Sequence, residues 1–157
     1  MATLEKAIAL AAQAHAGQHD KQGLPYILHP LRVMMRVEDD LARIVAVLHD
    51  TLEDTDVTAA DLRREGFGDD VIEPLELVTH DKHEPYADYV ARCARHRVAR
   101  QVKLADLEDN SRLDRALLRA ESVERDLKRI NRYQLSYKFL SGGLTEAEYR
   151  AAMAAHT

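Results

Sequence analysis

Apolar residues recur at helical spacing through most of the chain, and this leaves little of it for strands. Over residues 39–54, Leu41, Ile44, Val45, Leu48 and Leu52 follow the i, i+3, i+4, i+7 rule. Leu4, Ile8, Ala11 and His15 share one face of a helix over 3–15. No Asn-Gly or Asp-Gly hairpin signal appears, and β-branched runs are short. Further helices are expected from His29-Pro30 onward and over 69–79, 86–94 and 96–109. Residues 114–139 suit one long helix or two, and a terminal helix opens at Thr145. Thr58 with Asp61 reads as the cap of a short helix. Gly17 to Pro25 is the first clear loop. The expected architecture is all-α, a compact bundle of roughly eight helices in a single domain over residues 1–157.

The composition narrows the function classes. A single cysteine excludes an intramolecular disulfide framework and Cys-rich zinc sites. With no signal peptide evident and no apolar run of membrane-spanning length, the expected compartment is the cytoplasm. The net charge of −5 argues against an extended basic surface for nucleic acid. With 8 histidines in the chain, a metal site has to be built from His and carboxylate.

Three segments carry such residues. In Leu48-His49-Asp50-Thr51-Leu52-Glu53-Asp54-Thr55, one continuous helix would place His49 at about 80° and Asp50 at about 180° from Leu41. Glu53 would lie between them at about 120°, with Ala42 and Ala46 leaving space on that face. That suits a metal held by His49 and Asp50, with Glu53 beside the attacking water. The other reading is a polar helix face with a chance His-Asp pair. Asp106 follows an apolar run, and Asn110 shares its face one turn on. Taken alone, Asp106 reads as a salt-bridge partner for a neighbouring helix. His29 precedes a helix and, taken alone, reads as a loop histidine bonded to backbone. Together His29, His49, Asp50 and Asp106 make a set of two nitrogens and two carboxylates. It fits manganese or iron, with cobalt or zinc able to substitute.

These segments resemble the HD-domain metal-dependent phosphohydrolases, and more narrowly the hydrolase domain of RelA/SpoT-type enzymes. Lys21-Gln22-Gly23-Leu24-Pro25-Tyr26-Ile27-Leu28-His29-Pro30, Val47 to Thr55, and Val102 to Asn110 follow the family order, and the likeness covers residues 5–112. The His-Asp-x-x-Glu-Asp-Thr string with Pro-Tyr-Ile-x-His-Pro upstream is its specific part. The resemblance implies an all-α fold and one metal, usually manganese, on His29, His49, Asp50 and Asp106. It implies that Glu53 and Asp54 orient or activate water, and that Lys21 and Asn110 contact a nucleotide. The implied reaction is hydrolysis of the 3′-pyrophosphate of guanosine 3′,5′-bis(diphosphate). The length leaves no room for a synthetase domain, so a stand-alone small alarmone hydrolase is expected, without nucleic-acid or membrane partners. Val78-Thr79-His80-Asp81-Lys82 resembles a Val-Thr-Asp-Asp-Lys stretch of the metazoan SpoT homologue, which makes Lys82 a further substrate candidate.

Asp20 departs from the family pattern, where Arg is common and packs against guanine. An acid supplies no cation–π contact and repels phosphate. His19, or an arginine from elsewhere such as Arg112, is a candidate to compensate. Asp20 also motivates an alternative, hydrolysis of another nucleotide or phosphoester. A third reading is a non-catalytic helical module that binds nucleotide or protein, and the Glu53-Asp54 pair argues against it. Tyr133 and Tyr137 stack a base or pack. Arg125, Lys128, Arg129 and Arg132 read as a solvated helix face. Cys93 reads as structural.

Overall fold

A computed structural model describes residues 2–115 and 119–156. Among these the regular structure is helical, apart from one isolated bridge between His19 and Pro25. The helices are α1 (Leu4–Ala14), α2 (Leu28–Met35), α3 (Asp40–Leu48), α4 (Thr51–Asp54), α5 (Ala59–Arg64), α6 (Asp69–Val78), α7 (Tyr86–Ala94), α8 (Arg97–Asn110), α9 (Val123–Leu140) and α10 (Glu146–His156). A 3₁₀ turn, Ala120–Ser122, leads into α9. No helix among the described residues is long and apolar enough to cross a membrane.

Local chemistry sets the helix boundaries. Asp39 starts α3 by accepting from the backbone N–H of Leu41 at 2.9 Å and of Ala42 at 3.2 Å. Thr58 and Asp61 form the capping box expected for α5. Thr145 and Glu148 bond reciprocally at the start of α10. Of the one or two helices expected over 114–139, α9 runs from Val123 after the 3₁₀ turn, and Ala116, Leu117 and Leu118 lie outside the described residues.

The central helix is α3, which packs against α1, α2, α6 and α8. Its apolar stripe does what the periodicity predicts, since Val45 and Leu48 are fully buried. The continuous 39–54 helix does not form. It breaks between α3 and α4, which is one reason the helices outnumber the roughly eight expected. The side chains at the break satisfy the free carbonyls of α3. His49 Nδ1 donates to the Ala46 carbonyl at 2.8 Å, and Thr51 Oγ1 donates to that of Leu48 at 2.6 Å. Ala42 and Ala46 are fully buried in the core rather than facing the site.

Candidate metal centre

The break in the helix makes the site possible. Consecutive residues of an unbroken helix diverge by about 100°. At the break Asp50 departs from ideal helix angles, with φ −95° and ψ −4°, and it and His49 approach one point. His49 Nε2 lies 3.0 Å from Asp50 Oδ2 and 3.6 Å from Asp106 Oδ1. From α2, His29 Nε2 comes to 3.2 Å from Asp106 Oδ1 and 3.5 Å from Asp50 Oδ2. The four residues expected to bind one metal therefore converge, contributed by α2, the α3–α4 break and α8.

Their surroundings fit a cation. Each imidazole commits its Nδ1 elsewhere, His49 to a backbone carbonyl and His29 to Asp109 Oδ2 at 2.7 Å. This leaves both Nε2 atoms directed at the centre. His49 Nε2 is buried and has no hydrogen-bond partner. Burial presses the His49 pKa down, but Asp50 and Asp106 outweigh it and hold it well above its ordinary value. His29 is raised against the same burial penalty by Asp106 and Asp109. The two carboxylates thus favour positive charge between them. His29, His49 and Asp50 offer ligand atoms all within 4.8 Å of one another. A donor set of two imidazoles and two carboxylates suits a divalent ion of borderline-to-hard character.

A second layer orients these groups. Tyr26 donates its hydroxyl to Asp50 Oδ2 at 2.7 Å. Burial and the Asp50 charge push the phenol pKa far up, so it stays a donor. Asp106 accepts from Lys103 Nζ at 2.8 Å and Asn110 Nδ2 at 2.6 Å. The Lys103 ammonium also lies 4.9 Å from the Tyr89 ring centroid. His15 accounts for itself as packing, buried and tilted against Tyr26 at 5.0 Å with Nδ1 on Gln18 Oε1 at 2.8 Å.

The centre lines a cavity of about 500 Å³, whose walls include Lys21, Glu53, Asp54 and Asn110. Glu53 Oε2 accepts from the backbone N–H of His80 at 3.0 Å, which fixes the carboxylate. Burial raises the Glu53 carboxyl above its ordinary value, and burial and Asp50 do the same for Asp54. Lys82 is exposed and is not among the lining residues, where His80 of the same stretch is found. Arg112 is also not among them and pairs with Asp114 at 2.8 Å.

Arg115 takes the place foreseen for Arg112. It lines the cavity, with Nη2 3.3 Å from Asn110 Oδ1 and Nη1 3.4 Å from Asp20 Oδ2. Asp20 also accepts from the backbone N–H of Gln22 at 2.8 Å and of Leu24 at 3.0 Å. It therefore pins its own loop and holds an arginine at the cavity wall. Sequence reasoning missed Asp109, Lys103 and Arg115. For Asp109 and Lys103 a signal existed: both are charged residues embedded in the apolar pattern of α8, where a partner is required. Arg115 carried none, because its partners are 95 and 5 residues away in sequence.

Comparison with known proteins gives the chain named relatives and a shared fold. No protein-family model matches the chain. An Aquifex aeolicus protein named guanosine-3′,5′-bis(diphosphate) 3′-pyrophosphohydrolase is 34% identical over 119 residues, 68% of this chain and 17% of that protein. A Danio rerio protein of the same name, MESH1, is 35% identical over 118 residues, 69% of this chain and 65% of that protein. A Streptomyces coelicolor protein named GTP pyrophosphokinase is 36% identical over 135 residues, 78% of this chain and 16% of that protein. The chain thus spans less than a fifth of these two bacterial relatives and just under two thirds of the fish one. A solved structure described as a metazoan ortholog of SpoT that hydrolyses ppGpp superimposes with a TM-score of 0.65 at 24% identity, over 99% of this chain and 94% of that one. That match shows a shared all-α fold. The chain is an HD-domain relative of the RelA/SpoT-type hydrolase domains.

Proposed function

We propose that this protein is a metal-dependent phosphohydrolase that removes pyrophosphate from the 3′ position of a nucleotide, with guanosine 3′,5′-bis(diphosphate) as the leading substrate and manganese as the metal. The observation that carries this reading is the convergence of His29, His49, Asp50 and Asp106 beside the Glu53-Asp54 pair, with Glu53 fixed by the His80 amide and Asp54 beside the Tyr26 hydroxyl. A divalent ion there lowers the pKa of water toward neutrality and offsets phosphate charge.

The chain's own residues do the rest. Glu53, held by the His80 amide and raised by burial, is the general base that takes a proton from the attacking water. Asp54 lies beside the Tyr26 hydroxyl at 3.3 Å and orients the water from the other side. Lys21, Asn110 and Arg115 line the cavity and meet the nucleotide and its phosphates. Asp20 loses its force as an objection to a phosphorylated substrate, since its charge is taken up by loop amides and Arg115. The exposed Lys82 and the Asp114-paired Arg112 hold lower places as substrate contacts.

A nucleotide panel assayed in parallel for phosphate and pyrophosphate release tests the proposal. Pyrophosphate from nucleotides bearing a 3′-diphosphate is the expected result. Phosphate release from monoesters alone would move the activity to the alternative substrate class.

A further inference from the structure

A second cavity, of about 580 Å³, adjoins the first and is walled largely by α9, with Met153 and His156 of α10. Lys21, Arg119, Arg125, Lys128, Arg129 and Arg132 line it, and three of them, Lys21, Arg129 and Arg132, also line the metal cavity. Asp126 is the carboxylate set into this cluster, buried and 3.2 Å from both Arg119 and Arg129. Six cationic side chains thus line one cavity in a chain of net charge −5, and Asp126 pairs with two of them. Like charges this close repel one another. Burial and the neighbouring Arg129 and Arg119 press the Lys21 pKa down. Arg132, whose guanidinium lies 4.5 Å from the Tyr86 ring centroid, keeps a buried Nε without a hydrogen-bond partner. The face expected from sequence to be solvated is therefore a concave basic groove that opens beside the catalytic one. An anion with several oxygens relieves such an arrangement.

We propose that this groove is a second anion subsite, which takes a di- or triphosphate group while the metal cavity holds the group to be cleaved. That chemistry has two sources, the other phosphorylated end of the substrate or a separate polyphosphate molecule. Because the cavities share Lys21, Arg129 and Arg132, either one couples groove occupancy to the metal cavity. The first source rests on the hydrolase reading above, and the second does not need it.

The test is the double variant Arg125→Ser/Lys128→Ser, whose residues line the groove and not the metal cavity. In the first arm, manganese-loaded protein is given guanosine 3′-diphosphate with and without a 5′-diphosphate. If the substrate's own second end fills the groove, wild type prefers the 5′-phosphorylated compound by at least ~10-fold in kcat/KM. The variant then loses that preference through KM and still turns over the 5′-hydroxyl compound at the wild-type rate. In the second arm, inorganic tripolyphosphate is titrated into the manganese-saturated protein by calorimetry. If a separate molecule fills the groove, wild type shows no 5′ preference but binds tripolyphosphate at least ~10-fold more tightly than the variant. This arm requires no turnover, so its failure is distinct from failure of the proposed reaction. A variant matching wild type within about twofold in both arms overturns the proposal.

Discussion

His29 Nδ1 stands 2.7 Å from Oδ2 of Asp109, a carboxylate with no exposed surface. Asp109 also accepts from Arg32 Nε at 2.8 Å and Nη2 at 3.0 Å. It lies outside the four-residue cluster, yet by taking Nδ1 it leaves His29 Nε2 to face Asp106 and Asp50. Asp109→Asn should weaken manganese affinity by ~10–100-fold while leaving all four ligands in place. Competition against a chromophoric chelator measures this, and unchanged affinity would remove Asp109 from the positioning role.

Asp109 also gives a pH dependence. Burial pushes its carboxyl up, but hydrogen bonds from His29 and Arg32 outweigh burial and hold it far below the ordinary range. A depressed folded pKa stabilises the protein fully above the unfolded value of ~3.9, and that contribution is lost as pH falls below it. The melting temperature of wild type should therefore fall more steeply than that of Asp109→Asn between about pH 5 and about pH 3. Parallel acid titrations of the two proteins would expose the opposite trend.

The ligands and the water-handling pair should separate cleanly by variant. Asp106→Asn and His49→Ala are expected to lose metal and activity together. Glu53→Gln should retain one ion per chain and lose at least ~10²-fold in kcat. Elemental analysis beside single-turnover rates decides this, and a near-normal rate for Glu53→Gln would reject the general-base role.

Asp20 should act through its loop. Asp20→Ala removes the acceptor of two backbone N–H groups and the partner of Arg115, so KM is expected to rise by ~10-fold with kcat little changed. Asp20→Asn keeps the acceptor oxygen and should stay within about threefold of wild type. A KM insensitive to Asp20→Ala would separate the loop from substrate binding.

Cys93 is the chain's one thiol, fully buried with Sγ 3.2 Å from the Leu77 carbonyl oxygen, and burial pushes its pKa up to about 11. At about pH 8 a disulfide reagent should leave the native protein unmodified and react promptly after denaturation. Rapid labelling of native protein would contradict a purely structural cysteine.

The four converging residues, His29, His49, Asp50 and Asp106, were legible as a candidate set because each sits in a short local string whose residue types suit the chemistry. The helices were readable for a similar reason: periodicity and caps are local, and Thr58 with Asp61 behaves as its spacing predicts. What depends on folding was not readable. The break at His49-Asp50 comes from side chains taking over the carbonyls of Ala46 and Leu48, and periodicity continues through it. Arg115 faces the cavity only because Asp20 and Asn110 meet it there from distant segments. The groove likewise needs Lys21 brought beside α9.

Phosphorus NMR of guanosine 3′,5′-bis(diphosphate) incubated with manganese-loaded protein tests hydrolysis at this centre most directly. Equal amounts of guanosine 5′-diphosphate and inorganic pyrophosphate, abolished by Asp106→Asn, are the expected result. An unchanged spectrum from protein holding one manganese per chain would contradict it.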